Sequence, residues 1–143
     1  MKIAITGHRP SRLKGQEKRI KEWFKHQFKK YNPDVVYIGM AQGVDQIAGM
    51  VAKDMGIPLI CCYPFPKNNY HAVELALMEN NEVLYINEQG SRKAYADRDR
   101  FMVDSADMVL CVWDGLPGGG TWLTKEYAKK KNVPIIEYEG LKK

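Results

Sequence analysis

The run Val35-Val36-Tyr37-Ile38-Gly39-Met40-Ala41-Gln42-Gly43-Val44-Asp45, followed through to Leu59-Ile60-Cys61-Cys62-Tyr63, decides the fold. Val35 to Ile38 is a continuous apolar strand that Gly39 breaks. Val44 to Met55 has helical period and closes on Gly56 and Pro58. Leu59 to Tyr63 is a second continuous apolar strand. Strands that are apolar throughout, joined by a helix, are the signature of a parallel sheet covered on both faces.

The same alternation extends outward. Lys2 to Thr6 is a strand that stops at Gly7-His8-Arg9-Pro10. Gln16 to Tyr31 reads as a helix, with Ile20, Trp23, Phe24, Gln27, Phe28 and Tyr31 on one stripe and lysines on the other. Further on, helices are expected over His71 to Asn80, Arg92 to Asp104 and Thr121 to Lys131. Strands are expected over Glu82 to Ile86, Met108 to Trp113 and Pro134 to Tyr138. No repeat, linker or shift in composition divides the chain, so residues 1–143 are expected to form one α/β domain.

At 143 residues, 45% hydrophobic and 27% charged, the chain matches the globular average and not a disordered or repetitive class. No apolar run approaches the roughly 20 residues of a membrane span. The N-terminal apolar run breaks too soon, at Gly7, for a signal peptide, so no membrane partner and a cytoplasmic location are expected. Three cysteines, Cys61, Cys62 and Cys111, lack metal-ligand spacing. They read as reduced core thiols, and no metal or cofactor is expected. The formal charge of +5 comes largely from Lys14 to Lys30, Lys129 to Lys131 and Lys142-Lys143. The first two read as solvated helix faces and the third as a frayed tail.

In such sheets ligands bind outside the carboxyl ends of the strands. That rule selects the loops Thr6–Pro10, Gly39–Asp45, Tyr63–Lys67 and Asp114–Thr121. Three of them are glycine-bearing and open helices, whose first N–H groups lack partners and favour anions. Glycines also simply punctuate turns, but three such loops on one sheet edge point to a shared ligand. None is a GxxxxGK[ST] or GxGxxG motif, so neither nucleotide hydrolysis at a P-loop nor dinucleotide redox chemistry is supported.

Taken in order, Thr6-Gly7-His8-Arg9-Pro10, Gly39 to Asp45, Arg98-Asp99-Arg100-Phe101-Met102-Val103-Asp104, Val112-Trp113-Asp114-Gly115 and Gly119-Gly120-Thr121 resemble the SLOG superfamily. That group includes the DprA/Smf DNA-processing proteins and the lonely-guy phosphoribohydrolases. The pattern is most similar to its small stand-alone YpsA/YspA-like branch of bacteria and their phages, and it runs from Met1 to about Tyr138. The resemblance implies a Rossmann-like, doubly wound, mainly parallel sheet with helices on both faces. It also implies a site for a nucleotide or nucleotide-derived molecule, and a homodimer or larger homo-oligomer. Arg98 and Met102 match the lonely-guy arginine and methionine, and Pro117-Gly118-Gly119-Gly120-Thr121 matches the glycine loop with one residue fewer. The enzymes' glutamate falls at Thr124, and a hydroxyl cannot supply the charge that a developing sugar cation needs.

The ligand-binding candidates are therefore Thr6, Gly7, His8, Arg9, Gly39, Ala41, Gln42, Gly43, Asp45, Phe65, Arg98, Asp114, Gly118, Gly119, Gly120, Thr121 and Thr124. Arg98 is either a ligand clamp or a buried ion-pair partner, and the motif favours the clamp. Under a hydrolytic reading it is also the catalytic candidate. Asp45 is a candidate carboxylate or a loop anchor, and Asp114 a candidate carboxylate or a turn residue. Phe65 is a candidate wall. Two function classes follow. The first is a small-molecule protein that binds a phosphate-bearing nucleotide as a sensor or sequestering module, with N-glycosidic hydrolysis or transfer as its enzymatic variant. The second is single-stranded DNA binding through the lysine face of the first helix. That face lacks interleaved aromatics for base stacking, which sets it behind the first.

Overall fold

The computed structural model describes residues 1–142; Lys143 lies outside the described residues. Six strands, β1 (Lys2–Gly7), β2 (Val35–Ile38), β3 (Leu59–Tyr63), β4 (Glu82–Tyr85), β5 (Met108–Val112) and β6 (Ile135–Tyr138), pair in parallel in the order β4-β3-β2-β1-β5-β6. Between them run α1 (Glu17–Tyr31), α2 (Val44–Asp54), α3 (Ala72–Met78), α4 (Arg92–Ser105) and α5 (Gly119–Lys130), with a 3-10 turn at Pro10–Arg12. The α/β reading thus stands, and every pairing among the described strands is parallel.

The side-chain alternation of each strand sorts the helices into two layers. Ile3, Ile5, Val36, Ile38, Leu59 and Cys61 face the layer of α1, α2 and α3, where Phe24, Phe28, Val44, Val51 and Leu77 fill the core. Ala4, Tyr37, Cys62 and Val109 face Met102 and Val103 of α4 and Ala128 of α5. Adjacent Cys61 and Cys62 thus enter opposite layers as free, buried thiols, and burial pushes both up to about 12. Each large apolar side chain removed from water contributes roughly 1.5–3 kcal/mol, so this double core dominates the favourable side of folding.

The chain winds outward from β1 to β4 over one face, then crosses with α4 to β5 on the other side of β1. The winding direction reverses between β1 and β5, which opens a crevice at their carboxyl ends. Gly7 pairs with Val112, so these two strands finish level on that rim.

Two expectations need correction. The third helix spans Ala72–Met78 and not His71 to Asn80. Asn81 donates its side-chain amide to the Leu77 and Glu79 carbonyls, taking the place of further helical N–H donors. The C-terminal tail is also not frayed at Lys142. Leu141 is fully buried, and its carbonyl accepts from Lys14 Nζ at 2.9 Å. Lys142 Nζ lies 2.7 Å from Glu137.

Candidate functional site

Two adjoining cavities lie along the carboxyl ends of the strands. The first, about 360 Å³, is lined by Thr6, Gly7, His8 and Arg9 after β1, Gly39, Ala41 and Asp45 around the start of α2, Arg98 and Met102 of α4, and Gly120 and Thr121 of α5. The second, about 350 Å³, shares Arg9, Gly39, Ala41, Tyr95 and Arg98 with it and adds Gln42 and Phe65. Most of the residues selected from sequence therefore line one continuous groove. Gly43, Asp114, Gly118, Gly119 and Thr124 line neither cavity. Thr124 faces a separate groove between α4 and α5, and its hydroxyl donates to the Gly120 carbonyl at 2.8 Å.

The glycines bring elements together. A Cβ on Gly7 would collide with the Val44 side chain, so Gly7 is what lets β1 end against α2. Gly43 has φ +95°, and a Cβ there would sit 2.5 Å from the His8 carbonyl oxygen. Val44 N–H donates to that same carbonyl at 3.1 Å, tying the first two loops to one another. A Cβ on Gly39 would meet both Arg98 and Asp45 at 2.9 Å, so the absent side chain makes room for that charged pair.

Arg98, 8% exposed, is held by the protein on three sides. One terminal nitrogen donates to the Gly39 carbonyl at 2.5 Å and the Cys62 carbonyl at 3.3 Å, and Nε donates to Asp99 at 2.7 Å. Its other terminal nitrogen donates to no protein group among the described residues. Asp45, equally buried, accepts from Ala41 N–H at 3.2 Å through one oxygen. Its second oxygen lacks a protein donor and is not sealed from the cavity. Burial pushes its carboxyl up to about 6, against the pull of Arg98 and the Ala41 N–H.

Asp114 behaves in the opposite way. Burial alone raises its carboxyl, but Leu116 N–H, Arg12 and His8 outweigh that and hold it below the usual carboxylate range. Arg12 grips one oxygen through Nε at 2.9 Å and a terminal nitrogen at 2.7 Å. His8 Nε2 accepts from the Asp114 backbone N–H at 3.2 Å, so that nitrogen carries no proton. Burial and the Arg12 charge lower the His8 pKa against the opposing pull of Asp114, whose Oδ1 lies 3.2 Å from Nε2. Neither Nδ1 nor the hydroxyls of Thr6 and Thr121 has a protein partner, and none is sealed from the cavity. The side chain of Arg9, exposed on the rim shared by both cavities, makes no ion pair and no hydrogen bond to a described residue. No three His, Cys, Asp or Glu side chains gather as a metal site among the described residues.

The Arg12–Asp114 pair, 102 residues apart in sequence, was outside the reach of any local pattern. So was Glu74 beneath the second cavity. It is 1% exposed and accepts from Tyr63 Oη at 2.7 Å, Lys67 Nζ at 2.7 and 2.8 Å, and His71 N–H at 3.0 Å.

No protein-family model and no curated protein sequence matches the chain. Solved structures do. DNA processing protein A (DprA) from Streptococcus pneumoniae matches at TM-score 0.68 and 21% identity, over 95% of this chain and 49% of its own. DprA from Helicobacter pylori, described for its single-stranded DNA binding mode, matches at 0.73 and 22%, over 96% and 64%. The molybdenum cofactor carrier protein of Chlamydomonas reinhardtii matches at 0.68 and 18%, over 95% and 74%. This chain thus spans about half of the first DprA and under two-thirds of the second. Likeness at such identities concerns the backbone, and the chain has the Rossmann-like fold of these proteins.

Proposed function

We propose that the chain binds a phosphate-bearing nucleotide or nucleotide-derived small molecule in the strand-end groove, as a sensor or sequestering module. The observation that carries this reading is Arg9, a guanidinium with no protein acceptor on the rim of a cavity whose other arginines are engaged. Around it the unspent donors of Thr6, His8 and Thr121 and the first turn of α5 suit an anion. The open oxygen of Asp45 suits a sugar hydroxyl. Related folds hold ligands as different as single-stranded DNA and the molybdenum cofactor, so the choice of ligand falls to these side chains.

The test is a thermal-shift panel of AMP, other nucleoside monophosphates and cyclic nucleotides. A ligand at 100 times its Kd adds about 2.7 kcal/mol to stability. Arg9→Ala is expected to weaken binding roughly 10- to 100-fold, the worth of a charge-assisted hydrogen bond, and to leave the unliganded Tm unchanged. A panel without a responder at millimolar concentration removes the reading. Binding without turnover is expected, because Asp114 is spent on Arg12 and Thr124 on Gly120. Chromatography of nucleoside monophosphates after incubation checks that directly. Free base whose release is abolished by Asp45→Asn replaces the binding module with an N-glycosidic hydrolase.

A further inference from the structure

Thr6, His8 and Thr121 line the first cavity alone, Arg9 stands on the rim shared by both, and the body of the second cavity is left to another part of the ligand. The wall of this second cavity is Phe65, whose ring is fixed on two sides. Tyr95 meets it edge to face, with centroids 5.5 Å apart at 89°. On another side it rests on the backbone at Gly90, where a Cβ would stand 3.2 Å from Phe65 Cε2. Tyr95 in turn lies under the Arg98 guanidinium, 5.9 Å from ring centroid to carbon. Flat groups thus run without a break from the first cavity into the second.

Away from Arg9 on the shared rim, the remaining surface of this cavity is polar and its Lys67 and Glu74 charges are paired with each other. Glu74 is spent on Lys67, Tyr63 and the His71 N–H, which outweigh burial and hold it ionised. Gln42 is exposed and makes no hydrogen bond to a described residue. Gln46 gives its amide nitrogen to the Met40 carbonyl at 3.5 Å and leaves its side-chain oxygen unspent. An aromatic wall, two carboxamides able to donate and accept, and charge compensated everywhere but at the Arg9 rim match a flat, neutral ring with a polar edge.

We propose that the second cavity holds the heterocyclic ring of the ligand, with Phe65 as the face it packs against and Gln42 and Gln46 hydrogen-bonding its edge. The proposal rests on the phosphate reading and adds the chemical class of the ligand, a nucleotide with an intact base as opposed to a sugar phosphate.

Isothermal titration of the whole chain with AMP, GMP, CMP, UMP, ribose 5-phosphate and inorganic phosphate tests it. The tightest nucleotide is expected to bind at least about tenfold more strongly than ribose 5-phosphate, in line with base–aromatic stacking. Phe65→Leu is expected to reduce nucleotide affinity about fivefold or more and leave ribose 5-phosphate binding as it was. Gln42→Ala, at an exposed position that bears no packing, is expected to change the ranking among the four bases. Nucleotides that bind no tighter than ribose 5-phosphate overturn the ring site and leave the phosphate reading intact. A Phe65→Leu effect equal on both ligand types does the same. Silence from all six probes overturns both.

Discussion

At the scale of single residues, Asp45 is where burial and chemistry conflict most. Its carboxyl is pushed from an ordinary 3.8 up to about 6 by burial, with Arg98, Asp99, Arg9 and the Cys62 thiol as the groups around it. Below about pH 4 the carboxyl is protonated in both the native and the unfolded chain, and burial costs nothing. Between 4 and 6 the unfolded chain ionises first, so native stability falls as pH rises. Above 6 the full cost of burying the ionised carboxylate applies. Asp45→Asn keeps an oxygen for the Ala41 N–H and removes the ionisation. The variant is expected to match the parent near pH 4 and to melt higher at pH 8. Melting curves across that range check it, and a variant that is less stable at pH 8 would show that the ionised carboxylate contributes more through Arg98 than its burial costs. The sequence had left Asp45 and Asp114 open between carboxylate and structural roles. What separates them is Arg12, which reaches Asp114 across the fold and leaves Asp45 alone.

At the scale of elements, the groove depends on how closely α2 docks on the end of β1. Gly7 has no side chain, and Val44, fully buried, occupies the space one would fill. Gly7→Ala is expected to destabilise the chain by roughly 1–3 kcal/mol through overpacking. In a Val44→Ala background the same change should cost less, because two of the three clashing atoms are gone while the Cβ of residue 44 stays 2.5 Å from the new one. Urea melts of the four proteins give the coupling, and additive effects would mean that the two elements adjust freely. This contact also marks what could be read from the sequence. The strands were legible because each is a short apolar run bounded by a glycine, proline or charged turn, and α1 because its apolar stripe repeats at helical spacing. The glycines were legible as strand ends. Their job of seating α2 against β1 was not, since it depends on a distance between loops far apart in sequence. The end of α3 was misplaced for a similar reason. Asn81 terminates it from beyond the helix while also accepting the Leu59 N–H at 2.9 Å, a tertiary bond with no local periodicity.

At the scale of the whole molecule, the sheet separates the basic surplus into two layers. Lys18, Arg19, Lys21 and Lys29 are exposed on α1, in the layer with α2 and α3. Lys129, Lys130 and Lys131 are exposed at the far end of α5, in the opposite layer. Among the described residues no helix is long and apolar enough to cross a membrane. Trp23, Phe24 and Phe28 turn inward from α1, and Trp23 and Phe24 meet edge to face at 5.1 Å, so no aromatic platform accompanies its lysines. A charge divided in this way neutralises few phosphates of any one strand at a time, and affinity for nucleic acid then comes from counterion release alone. The expected outcome in fluorescence anisotropy with a labelled single-stranded oligonucleotide is weak binding at 50 mM salt that disappears by 200 mM. A complex that persists at 200 mM, and that Lys18→Glu and Lys21→Glu together dissolve, would move the functional surface from the strand-end groove to the outer face of α1. Arg9 lines the strand-end groove and lies outside α1, so Arg9→Ala discriminates between the two surfaces. It should weaken nucleotide binding in the groove by the same roughly 10- to 100-fold and leave any oligonucleotide binding by α1 unchanged.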